Sequence, residues 1–201
     1  MKSIFFIIFL FTFSITFSQS SSKNDSIIYL DEVIVNANNT NFSNIKTILT
    51  KGKQNISFSM RNKGIIISLV ENIPQGNINT LSFYFNNNKK RTYKDVEFRL
   101  IIYSVDINNM PEKEVFNDDF RFIVKNIDKG KISLDLRKLN LKNYDKLFIG
   151  LELLKNRDSQ DFLIDCNSVK NNNTFIKMEG MENWLKKQGS DLKTEIIFEI
   201  K

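Results

Sequence analysis

Histidine is absent from the chain and cysteine occurs once, as Cys166. Without histidine, Ser-His-Asp and Cys-His triads, histidine-ligated metal sites and imidazole general bases are all excluded. A single cysteine excludes an internal disulfide, so stability has to come from packing. Cys166 sits in the apolar stretch Phe162-Leu163-Ile164-Asp165-Cys166 and is expected to be a buried, inert thiol. No second apolar run approaches the length of the first, and no internal repeat is evident.

That first run is Ile4 to Phe17, broken only by Thr12, Ser14 and Thr16 and preceded by Met1-Lys2-Ser3. A bilayer span needs roughly 17 to 25 apolar residues, so this stretch of about 14 reads as the h-region of a secretory signal peptide. Thr16 and Ser18 occupy the −3 and −1 positions of a cut before Gln19, with a cut within Gln19 to Ser22 as the alternative and a retained anchor as the runner-up to cleavage. No cysteine lies near the cut, which excludes lipidation there. The expected organisation is a signal helix over residues 1–18, a polar leader over 19–26 and one domain over 27–201. The expected location is beyond the inner membrane: periplasm, outer-membrane-associated or secreted.

Lysine and arginine number 29 against 23 acidic residues, a net charge of +6. Some of this excess lies in Lys-rich loops such as Asn86-Asn87-Asn88-Lys89-Lys90-Arg91. It favours acidic glycan surfaces over nucleic acid, which export places out of reach.

The dominant hydrophobic period is two. In Val96 to Val105, the side chains of Val96, Phe98, Leu100 and Ile102 point one way and those of Glu97, Arg99 and Tyr103 the other. Similar runs occupy Ile27 to Val35, Ile65 to Val70, Thr80 to Phe85, Phe120 to Val124, Lys131 to Leu136, Leu147 to Leu154, Phe162 to Cys166, Thr174 to Lys177 and Thr194 to Ile200. Such short strands between Asn, Gly and Lys loops predict an all-β fold, an antiparallel, jelly-roll-like β-sandwich. The 18 phenylalanines suit the ~10 Å gap between facing sheets. The strongest helical patterns are Met181 to Lys187 and Leu139 to Tyr144, one or two turns each.

Some of these residues carry a resemblance. Leu30-Asp31-Glu32-Val33-Ile34-Val35-Asn36-Ala37 resembles the LxEVVVTA string of Bacteroidota cell-envelope proteins, found near carboxypeptidase-regulatory-like modules and TonB boxes. Downstream come Phe98-Arg99-Leu100-Ile101-Ile102-Tyr103-Ser104-Val105-Asp106, Met110-Pro111, Ile132-Ser133-Leu134-Asp135-Leu136 and Leu147-Phe148-Ile149-Gly150-Leu151-Glu152. This order is similar to uncharacterised exported β-sandwich proteins of those bacteria, with Trp184 matching a late tryptophan. Glu112 stands where the family has glycine, and Leu153-Leu154 where it has tryptophan. The resemblance implies fold and compartment and supplies no catalytic residues. A TonB box at residues 30–37 would need a free extended segment ahead of a transporter barrel, whereas the simpler reading makes it the first strand of the sandwich.

The site inventory is short. A carboxylate pair could still cleave a glycosidic bond, and Glu97 and Glu152 are the candidates, although acidic residues alternating on a solvent face need no such role. Asp106-Ile107-Asn108-Asn109 and Asn117-Asp118-Asp119 offer oxygens to a structural calcium ion, but turn formation accounts for both, and no cofactor is expected. For stacking on sugar rings the candidates are Tyr84, Tyr93, Tyr103 and Trp184, with Tyr144 in the same pool. Asp25-Ser26-Ile27 resembles a short O-glycosylation site, and Asn41-Phe42-Ser43 and Asn55-Ile56-Ser57 are formal sequons. The sequence therefore points to an exported, non-catalytic binding or structural module of the cell envelope, with an envelope protein or glycan as partner. The alternatives are a carbohydrate-binding module in the strict sense and a histidine-free glycan hydrolase.

Overall fold

The computed structural model describes residues 45–50, 55–61, 63–86, 95–115, 119–125, 130–139, 144–156, 162–170 and 173–200. The signal and leader segments, the strand expected at Ile27 to Val35, and Tyr93 lie outside them.

The fold is all-β and antiparallel, a sandwich of two walls. Its strands are β1 (Ile45–Leu49), β2 (Asn55–Met60), β3 (Ile65–Glu71), β4 (Gly76–Tyr84), β5 (Val96–Val105), β6 (Pro111–Glu114), β7 (Arg121–Val124), β8 (Lys131–Asp135), β9 (Lys146–Asn156), β10 (Phe162–Ser168), β11 (Thr174–Lys177), β12 (Leu185–Lys187), β13 (Ser190–Leu192) and β14 (Thr194–Ile200). One wall combines the sheets β1-β14-β4-β8 and β13-β10-β2, joined by a bridge between Phe85 and Ile164 and by the continuation of β13 into β14. The other is the sheet β12-β11-β3-β9-β5, whose far edge is shared by β7, along Val96 to Arg99, and β6, along Tyr103 to Val105. This second sheet has seven strands and is curled into a half-barrel.

Alternation along the strands sends one set of side chains between the walls. Phe98 lies at the centre with Phe85, Phe122 and Phe162 around it, at ring-centroid distances of 5.6, 5.7 and 5.2 Å. These rings tie β5 and β7 to β10 and the end of β4, and all four are buried. Removing such a side chain from water contributes ~1.5–3 kcal/mol, so this cluster is a main source of cohesion between the walls. Cys166 faces the same interior, as expected. Burial pushes its thiol up to about 12, with Asp165 and Asp191 adding to the shift, so it stays protonated.

The helix expected over Met181 to Lys187 does not form. Its last three residues are β12, which pairs antiparallel with β11. A seven-residue helix closes few of its own hydrogen bonds, whereas pairing on a free sheet edge satisfies several at once. Gly189, at a φ of 72°, then turns the chain out of this sheet and into β13 of the other wall. The other helical pattern begins at the end of a single 3₁₀ turn, Arg137–Leu139, and Tyr144 packs against the core.

Candidate functional site

The seven-stranded sheet is apolar on both faces. Besides the side chains that enter the sandwich, Ile67, Ile101, Phe148 and Phe175 form a second buried cluster on its outer side. The rings of Phe148 and Phe175 meet edge to face at 5.2 Å. Register explains the centre of this cluster, because Gly150 lies between Ile67 on β3 and Ile101 on β5. A Cβ at Gly150 would stand 1.9 Å from the Ile66 carbonyl oxygen and 2.6 Å from the Ile67 Cα. Only glycine lets β3 approach this closely, and its missing side chain leaves room between the two isoleucines.

Trp184 closes the cluster from above. It precedes β12, four strands from β5 in hydrogen-bond order, and at ~4.8 Å per strand a flat sheet would hold the two about 19 Å apart. In the curled sheet Trp184 instead meets Tyr103 of β5 edge to face, with centroids 5.3 Å apart. Lys177 Nζ lies 5.8 Å from the indole centroid, and Lys186 Nζ lies 5.6 Å from the Phe175 ring. Met181 and Leu185, on either side of Trp184, are exposed. Two of the four aromatic residues picked from the sequence are thus brought together. Tyr84 lies on the other wall, with its hydroxyl donating to Glu195 Oε2 at 3.0 Å and its ring 4.6 Å from Lys193 Nζ and 5.9 Å from Lys131 Nζ.

Beside the aromatic pair the same face becomes ionic. Arg99 Nε donates to Glu152 Oε2 at 2.7 Å and Arg99 Nη1 to Glu114 Oε1 at 3.2 Å. Arg121 pairs with Asp119 and lies 3.5 Å from Glu97 Oε1. Glu97 and Glu152, the pair proposed for glycoside cleavage, therefore share this face, but each is held by an arginine. The carboxyl group that burial pushes above the usual range is Glu114, with Arg99 working against the shift. Glu114 went unnoticed in the sequence because Pro111-Glu112-Lys113-Glu114 reads as a polar loop, while the structure makes it β6.

A second concavity opens where β1 meets β3, at one edge of the sandwich. It is a groove of about 760 Å³ lined by Lys46, Ile48, Leu69, Glu71, Lys170 and Asp191, among others. Beside the groove, ending at its Asp191, runs a polar seam in which Leu192 N donates to Ser68 Oγ at 2.8 Å, Ser68 and Thr174 share a hydrogen bond, and Thr174 Oγ1 donates to Asp191 Oδ1 at 3.2 Å. Burial pushes the Asp191 carboxyl up, while hydrogen bonds from Thr174 and the Asn173 backbone pull it down.

The calcium expectation falls partly outside the described residues, at Asn117 and Asp118. Asp119 pairs with Arg121, and Asp106 Oδ1 accepts from the backbone of Asn108 and Met110 at 2.8 and 2.7 Å, a turn motif. Among the described residues no three His, Cys, Asp or Glu side chains converge as ligands, and no helix is long and apolar enough to cross a membrane.

The fold thus defines an antiparallel β-sandwich with an aromatic and ionic outer face. In sequence, no known family model matches the chain, and neither does any curated protein.

Proposed function

We propose that this chain is an exported, non-catalytic binding module of the cell envelope, and that it recognises glycan through the outer face of its seven-stranded sheet. The observation that carries this reading is the meeting of Trp184 and Tyr103 beside the fixed Arg99–Glu152–Glu114 row. Aromatic ring faces pack on the apolar faces of sugars, and charged groups held in place by neighbours bind hydroxyls without first losing freedom of their own. Lys177 and Lys186 next to the aromatic cluster favour acidic glycans, in keeping with the net charge of +6. Export rests on the Ile4 to Phe17 run, and placement in the envelope on the likeness of residues 30–37 to Bacteroidota envelope proteins.

The test is a glycan array probed with the wild-type protein and with Trp184→Ala. Retention of a glycan class by the wild type alone supports the proposal. Silence of the wild type on all envelope glycans, or equal binding by both proteins, overturns it.

A further inference from the structure

The groove beside β1 is framed by an unfinished edge. Among the described residues β1 pairs only with β14, so its other side has no backbone partner among them. Its side chains are exposed on the outward face too, with Ile45 at 47% and Leu49 at 53%. A free strand edge carrying exposed aliphatic side chains is a template for a further strand. Of the charged residues at the groove, Glu71 is paired with Lys146 at 3.0 Å and Asp191 accepts from Thr174. Lys46 and Lys170 have no ion-pair partner among the described residues. The groove therefore presents a lining of mixed polarity and two cations without an ion-pair partner among the described residues.

We propose that residues 27–35 of this same chain add as an antiparallel strand to the free edge of β1 and cover the groove. Three observations single out this occupant. Each face of the segment carries aliphatic side chains and one carboxylate: Ile28, Leu30, Glu32 and Ile34 on one, Ile27, Asp31, Val33 and Val35 on the other. Asp31 and Glu32 are its only charges and are opposite in sign to Lys46 and Lys170. The segment ends just before residues 36–44, an Asn-rich stretch that leads directly into β1 and, at up to ~3.3 Å per residue, is long enough to reverse the chain. Tethering through so short a connection gives the segment a high effective concentration at this edge, which favours it over a strand from another molecule.

Hydrogen exchange read by mass spectrometry on the full exported chain tests the proposal. The amides of residues 27–35 and of β1 should exchange at least ~10-fold more slowly than the same sequences as free peptides. Val33→Asp combined with Val35→Asp should return both segments to within about 2-fold of peptide rates while protection in β5 and β9 is unchanged, which shows that the domain stays folded. Peptide-rate exchange of residues 27–35 in the wild type overturns the proposal. So does protection of β1 that survives the double substitution, and so does a wild-type chain whose β1 protection rises with protein concentration, since a second copy would then cover the edge.

Discussion

Apolar side chains meet solvent at two places in this sandwich, the outer face around Trp184 and the edge at β1, and the two are finished in opposite ways. On the outer face, Ile67, Ile101, Phe148 and Phe175 are buried beneath an indole and two lysines, and the polar residues beside them are paired. At β1, Ile45 and Leu49 stand open, and Lys46 has no partner among the described residues. A preformed face with its charges fixed is what recognition of a ligand needs, because little order remains to be imposed on binding. An open strand edge is what strand addition needs.

The largest break in this contrast should come from Gly150→Ala. The added methyl would overlap the backbone of β3, which has no side-chain freedom with which to yield. A loss of at least ~3 kcal/mol in urea unfolding is expected, as for the worst core substitutions, and the protein should resist expression. A loss below ~1 kcal/mol would show that β3 and β9 can move apart. Thr47→Ala on β1 should by contrast lie within about 0.5 kcal/mol of wild type.

Next in size is Arg99→Met, which keeps much of the packing and removes the cation shared by Glu114 and Glu152. With side-chain exposures of 18–27% across the three groups, solvent screens part of the effect, and ~1–2 kcal/mol at neutral pH is expected. The loss should shrink in acid as the stranded Glu114 carboxylate protonates, which a pH series of denaturation curves would show.

Two carboxylates on opposite walls should then differ in sign. Lys131 and the Tyr84 hydroxyl hold Glu195 below the usual range, so it contributes stability above the ordinary glutamate value that disappears as pH falls through its lowered one. Glu195→Gln should cost ~0.5–1 kcal/mol at pH 7 and nothing in acid. Burial raises Glu114, so its contribution is present below the ordinary value and is lost as pH rises through the raised one. Glu114→Gln should therefore be neutral or slightly stabilising at pH 7, and a destabilisation as large as that of Glu195→Gln would contradict the assignment.

The parts of the fold that show in the sequence are apolar runs with at least one buried face. β5, β11 and β14 begin and end where period two places them, and β3 and β9 extend only slightly further. β1 left no trace because all of its side chains but Ile48 are exposed, and β6, β12 and β13 are too short for any period to register. The run Leu100-Ile101-Ile102 breaks strict alternation, and its reason is structural: Ile101 enters the outer cluster while its neighbours enter the sandwich. Residue types alone were enough to name Tyr103 and Trp184 for the site. Their meeting depends on sheet curl, which no local pattern encodes. Glu152 also stood out, but the arginine that restrains it lies across a strand pairing that the sequence does not display.

Because Trp184 is the only tryptophan, its fluorescence reports directly on the face proposed to bind. Titration of the wild-type protein with an acidic envelope polysaccharide should give a saturable change in Trp184 emission that weakens with salt and is lost in Tyr103→Ala. An emission spectrum that stays constant to saturating polysaccharide, while the protein demonstrably binds that glycan by another readout, would place recognition elsewhere on the molecule and contradict the account.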